Sequence, residues 1–234
     1  MLNNNWREIW KKKSIDHGVS LKLENLIELN GYDTGAGKVT SHDWLINIKA
    51  LVEHMGISDG DTIYEVGCGA GAVAAGIKML RNVTFDGSDY SPALIDIIKK
   101  ALDEGDFECL EANKIRADKN YDHVICHGVF HYFDSEYAKV VFQKMLAKAT
   151  KSVGVFEVPN AVFKVDSESV RRGALGAEEY EAKYKDLEHN YYHKIFFTEM
   201  VDLHAPSSNV TTADSFIPNS PQGKYRFNII IQKL

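Results

Sequence analysis

The stretch from Thr62 to Gly71, Thr-Ile-Tyr-Glu-Val-Gly-Cys-Gly-Ala-Gly, constrains this chain more than any other. An apolar run of strand character reaches Glu65 and then breaks into three glycines, Gly67, Gly69 and Gly71, each separated by one residue. Glycine lets a backbone turn sharply and approach another group closely. Ala72 to Leu80 follows as an apolar helix that must pack back on a sheet. Strand, tight turn and helix N-terminus together form a nucleotide-sized site.

The pattern downstream fits that start. Strands are expected at 83–89, 106–110, 121–126 and 153–158, separated by helices at 93–102 and 134–149. Such alternation predicts a mostly parallel sheet covered on both faces. Ser91-Pro92 supplies a hydroxyl cap and a first-turn proline for one of the helices. At Pro159 the alternation stops. Residues 160–197 are charged and tyrosine-rich and read as a helical insertion, 198–204 as a short helix, and 209–217 with 225–232 as an antiparallel hairpin.

Upstream lies a helical preface. Trp6, Ile9 and Trp10 share a face of a helix over 3–13, and 20–29 forms a second. A third starts at the capping-box residues Thr40 to Asp43 and stops at Gly56. The loop 31–38 is polar and glycine-rich, either a connector or a lid carrying Tyr32. The whole is expected to be one domain, 1–234: an N-terminal cap (1–58), a nucleotide-binding core (59–159), the insertion (160–197) and a closing hairpin (198–234).

Composition excludes several classes. A net charge of −6 and a pI near 5.8 disfavour nucleic acid as a partner, because phosphates call for a basic face. No apolar run approaches the roughly 18 residues a membrane span needs, and Met1 to Lys13 lacks the apolar core of a secretory signal, so a cytoplasmic protein is expected. Cys68, Cys109 and Cys126 have no metal-ligand spacing and an odd count, so no metal site and no disulfide framework is expected.

The glycine turn alone also satisfies the relaxed pattern of dinucleotide enzymes. Two carboxylates narrow the choice. Asp89 ends the second strand, where it can accept both hydroxyls of a ribose, and Glu65 stands just before the glycines. A carboxylate there repels a pyrophosphate and attracts a cationic group. The set Glu65-Val-Gly-Cys-Gly-Ala-Gly71, Asp89-Tyr-Ser91, Tyr121-Asp-His-Val124 with Gly128 to Phe133, and the closing strand Tyr225 to Gln232 resembles the class I S-adenosylmethionine-dependent methyltransferases. The resemblance spans most of 40–160 and the final hairpin.

It implies a Rossmann-like, doubly wound α/β fold whose seven-stranded, mostly parallel sheet ends in an antiparallel hairpin. By the same resemblance, Glu65, Gly67, Cys68, Gly69 and Gly71 hold the amino-acid end of S-adenosylmethionine, and Asp89 holds the ribose. Tyr90 flanks adenine with Glu111 and Ala112, and His127 and Gly128 lie under the methionine portion. The implied reaction is methyl transfer to oxygen or nitrogen of a small-molecule acceptor, leaving S-adenosylhomocysteine. The alternatives are a nicotinamide-dependent oxidoreductase and a cofactor-binding subunit without turnover.

No catalytic residue is dictated by motif. His131 is the preferred general base, since it follows the fourth strand at the carboxyl edge, where open α/β sheets bind ligands; a histidine packed among Phe130, Tyr132 and Phe133 is the structural alternative. His42, Asp33 and Glu157 are lesser candidates. Tyr180, Tyr184, Tyr191 and Tyr192 either line an acceptor pocket or form the buried stripe of a helix. Arg171, Arg172 and Arg226 are candidates for an anionic group on the acceptor.

Overall fold

The computed structural model describes residues 4–11, 21–32, 37–116, 118–185, 187 and 189–234. Asp33, the middle of the glycine loop (33–36), and Lys12 with Lys13 of the basic run lie outside the described residues.

Three helices precede the sheet: α1 (Asn4–Lys11), α2 (Leu23–Leu29) and α3 (Ser41–Met55). The cap of α3 forms as the sequence predicts. Thr40 Oγ1 accepts from Asp43 N and Gly56 closes the helix in the left-handed conformation. Strand β1 (Thr62–Val66) feeds α4 (Ala72–Lys78), β2 (Thr84–Asp89) feeds α5 (Pro92–Ala101), and a short β3 (Phe107–Cys109) follows. Then come β4 (Tyr121–His127), α6 (Ser135–Lys148) and β5 (Ala149–Pro159). The insertion holds α7 (Lys164–Leu175) and α8 (Ala177–Tyr184), and α9 (Lys194–His204) leads into β6 (Asn209–Asp214) and β7 (Arg226–Gln232).

One seven-stranded sheet results, in the order β3-β2-β1-β4-β5-β7-β6. Strands β1 to β5 pair in parallel, and β7 inserts antiparallel between β5 and β6. The expected α/β architecture is therefore observed, closing hairpin included. Two apolar clusters flank the sheet. Trp44, Ile48, Ile77 and Ile98 belong to the one formed with α2 to α5. Phe142, Met145 and Phe197 belong to the other, with α6 and α9.

Two elements start about one helical turn of sequence earlier than the sequence reading placed them. The helix expected at 198–204 starts at Lys194, and β5 starts at Ala149, directly after α6. Both shifts follow from partners distant in sequence: Phe197 packs against Phe227, and Ala149 and Ser152 pair with Tyr121 and His123 of β4.

Strand β5 is irregular where it matters. Its pairing with β7 shifts register between Val155 and Val158, and Glu157 lies there with φ of 60°. A left-handed non-glycine residue in a bulge is costly and is retained where it re-aims a side chain. Asn228 Oδ1 holds the bulge by accepting from Glu157 N at 2.9 Å. Helix α7 docks at the same end of the sheet, where Ser167 Oγ donates to Gln222 Oε1 at 2.7 Å.

Candidate active site

The carboxyl ends of β1, β2 and β4 surround a cavity of about 60 Å³. Gly67 begins its wall with φ of +76°, and a Cβ there would stand 2.7 Å from a Val129 methyl. Only glycine permits both that conformation and that approach. Asp89 ties the turn to β2: its Oδ2 accepts from Gly69 N at 3.1 Å and its Oδ1 from Ser91 N at 2.8 Å. Burial pushes its pKa up to about 6, against the pull of those backbone hydrogen bonds.

Glu65 is 1% exposed, and neither of its carboxylate oxygens has a hydrogen-bond partner. Burial, and then the nearby Asp89 charge, hold its pKa well above the ordinary 4.5. A buried acid with no donor is costly to a fold unless something supplies one. The carboxylate sits immediately before the glycine turn, so a cationic ligand group fits there and a pyrophosphate does not.

At the opposite wall, His127 is locked in place. Asn47 Nδ2 and His127 Nε2 are 3.1 Å apart, and Tyr32 Oη makes a short hydrogen bond with His127 Nδ1. Burial, then the positive charge of Arg226, brings the His127 pKa down to about 3, so the ring is neutral. Tyr32 lies over Gly128, whose absent Cβ leaves room for the phenol: one placed there would stand 2.6 Å from Oη. Tyr32, just after α2, thus covers the end of β4.

Asn30, at the end of α2, completes the lid. Its Oδ1 accepts from Ala70 N at 2.7 Å and its Nδ2 donates to Cys68 O at 3.4 Å. The far wall is formed by Tyr90, Leu110 and Ala112.

A second, larger cavity of about 200 Å³ opens alongside, and Trp10, Asn30, Tyr32, Gly128 and Tyr132 line both. His131 faces this second cavity. It is 6% exposed and its Nδ1 has no partner. Burial, reinforced by His189, Arg226 and Arg171, holds its pKa well below 6.5, which favours the neutral ring. Glu157 lines the same space, its pKa raised by burial against the opposing charge of Arg226.

The sequence candidates therefore divide. Gly67, Gly69, Asp89, Tyr90, Ala112, His127 and Gly128 converge on the smaller cavity, with Glu65 buried beside them. Cys68 and Gly71 shape the turn from behind: Cys68 is fully buried, and a Cβ on Gly71 would strike Ile98. Glu111 is not in the wall; it accepts from Tyr137 Oη at 3.4 Å, and Leu110 stands where it was expected. His42 is exposed on α3 and lines neither cavity.

Among the insertion's candidates, Tyr184 and Arg171 reach the larger cavity, as does Arg226 of β7. Arg172 instead pairs with Glu181 on the surface at 2.6 Å. Tyr192 is a core residue whose hydroxyl donates to Phe133 O. Sequence reasoning missed Asn30, His189 and Val129. Asn30 just past an apolar helix was a visible cap signal, but its second role on the glycine turn depends on contact across 40 residues.

A family model described as a methyltransferase domain matches residues 64–156. Residues 64–156 thus carry a methyltransferase domain. No curated protein sequence matches the chain. Solved structures match its fold. Magnesium protoporphyrin IX methyltransferase (ChlM) from Synechocystis, solved with bound SAM, superposes with TM-score 0.61 at 13% identity, over 100% of this chain and 93% of that one. The plantazolicin methyltransferase BpumL in complex with SAH gives 0.62 at 17% identity, over 82% of this chain and 84% of that one. A methyltransferase from Clostridium acetobutylicum gives 0.60 at 10%, over 83% and 92%.

The match agrees with a methyl donor and not with the nicotinamide alternative. Glu65 is the observation of this structure that agrees with that donor. Among the described residues no helix is long and apolar enough to cross a membrane, and no cluster of His, Cys, Asp and Glu could hold a metal ion.

Proposed function

We propose that this protein methylates an oxygen or nitrogen of a small molecule held in the larger cavity, with the cofactor in the smaller one. The unpartnered Glu65 carboxylate carries the cofactor placement. It receives the ammonium of the methionine portion, Gly67 and Gly69 leave room for that portion, and His127 and Gly128 lie beneath it. Asp89 accepts the ribose hydroxyls while keeping its bonds to Gly69 and Ser91, and Tyr90, Leu110 and Ala112 enclose adenine.

When bound, the cofactor supplies an electrophilic methyl group on a sulfonium, which departs as a neutral thioether. The protein's share is alignment and exclusion of water, and alignment alone contributes on the order of 7 to 11 kcal/mol. The two cavities meet at Tyr32, Gly128 and Tyr132, so an acceptor atom entering from the larger one arrives at that junction. An acceptor hydroxyl or ammonium gives up its proton to neutral His131 Nδ1.

The deciding experiment is calorimetry with S-adenosylhomocysteine. Wild-type protein binds it, and Asp89→Ala loses most of that affinity while its circular dichroism is unchanged. Each hydrogen bond to a charged group contributes about 1.5 to 3 kcal/mol, so two predict a loss of at least about a hundredfold. Equal affinity in the variant overturns the placement.

A further inference from the structure

The larger cavity concentrates positive charge in a chain whose net charge is −6. Lys38, Arg171 and Arg226 line it, and Glu157 is the one acid in its wall among the described residues. Burial raises the pKa of Glu157, against the opposing charge of Arg226.

Arg171 is the anomaly. It is 6% exposed, makes no ion pair among the described residues, and its Nε has no hydrogen-bond partner there. Its two Nη groups donate to His189 Nδ1 and Tyr191 Oη, both neutral acceptors. The rings of Tyr184 and Tyr191 lie 6.0 Å from the guanidinium, which softens the charge without cancelling it. Arg226 likewise reaches a backbone oxygen, Glu157 O at 2.8 Å, and no carboxylate among the described residues. A buried cation without a counter-charge is among the costliest features a fold retains, and it is retained where a ligand completes it.

The other walls are aromatic. Trp6 packs edge-on to Tyr132 at 5.0 Å and against His189 at 4.8 Å, and Trp10 adds a second indole. Flat aromatic walls bury a flat apolar body, and an arginine fork selects a planar oxyanion.

We propose that the methyl acceptor is a planar aromatic molecule bearing a carboxylate, which Arg171 and Arg226 neutralise while Trp6, Trp10 and Tyr132 cover its ring. This rests on the methyltransferase reading, with the acceptor in the larger cavity. The cofactor's own carboxylate is the competing source of negative charge. Neither arginine lines the smaller cavity, which favours the acceptor.

The test titrates 2-naphthoate and 2-naphthamide, equal in shape and different in charge, into protein saturated with S-adenosylhomocysteine. We expect 2-naphthoate to bind at least about tenfold more tightly. Arg171→Gln and Arg226→Gln should each erase that preference without altering affinity for the amide or for S-adenosylhomocysteine. Arg171→Lys, which keeps the charge in case the glutamine variant misfolds, should retain part of it. Equal affinities in wild type, absence of naphthoate binding, or a fall in S-adenosylhomocysteine affinity in the arginine variants overturns the proposal. Failure of wild-type protein to bind S-adenosylhomocysteine overturns the methyltransferase reading instead.

Discussion

Glu65 and His131 are both buried titratable groups with unpartnered polar atoms, and they predict opposite things. Glu65 has its pKa raised, so the folded chain keeps a proton that the unfolded chain releases. Stability without cofactor therefore falls as pH rises past the ordinary value of 4.5. Glu65→Gln removes that penalty. Its melting temperature without ligand should exceed that of wild type at pH 7, while the rise on adding S-adenosylmethionine should be much smaller. Differential scanning fluorimetry reads both, and a full ligand-induced rise in the variant would remove Glu65 from the cofactor site. His131→Ala should lower turnover about 10²- to 10⁴-fold, the usual contribution of a general base. Affinity for S-adenosylhomocysteine should stay the same; retained activity would assign His131 to packing alone.

At the scale of elements, the N-terminal segment and the glycine turn behave as one unit. Helix α2 ends at Asn30, which accepts from Ala70 N, and the next loop brings Tyr32 onto His127 and Gly128. Removing the Asn30 side chain leaves Ala70 N without its acceptor at the most constrained point of the fold. Such a loss costs about 1 to 3 kcal/mol. Asn30→Ala should lower the urea midpoint accordingly and weaken cofactor binding as well. A stability loss with unchanged cofactor affinity would show that α2 caps the turn without shaping the site. The bulge of β5 has the same character, since it gives up regular pairing to place Glu157 in the cavity wall.

The whole molecule separates stability from function along the strands. At the amino end of the sheet, Asp61 accepts from Lys151 Nζ at 2.5 Å and pairs with His123 Nε2 at 2.9 Å, while Asp122 binds Thr62 N. Burial by itself would raise the Asp61 pKa, but the hydrogen bonds from Lys151 and His123 bring it down to about 2. A depressed carboxylate contributes stability above its ordinary value of 3.8 and loses it as pH falls toward about 2. Asp61→Ala should lower the melting temperature at pH 7 by leaving buried donors unpaired. It should also flatten the loss of stability between pH 4 and 2, with S-adenosylhomocysteine affinity unaffected. A weakened cofactor site would show that the two ends of the sheet are coupled.

Local signals were sufficient for the core. The alternation of strands and helices, the Thr40 and Ser91 caps, the glycine turn with Glu65 and Asp89, and the closing hairpin are features of neighbouring residues, so they could be read without coordinates. The acceptor side could not. His131, His189, Arg171, Glu157 and Arg226 come from four stretches of chain, and nothing local marks them as neighbours. Arg171 and Arg172 show the limit most clearly. They are adjacent and chemically identical, yet one is buried with no ion pair among the described residues and the other pairs with Glu181 in solvent. Sequence alone determined the glycine turn and its two carboxylates, because such a turn is built from consecutive residues. Only tertiary packing decided the larger cavity, because a cavity wall and its charge balance are properties of contacts between distant segments.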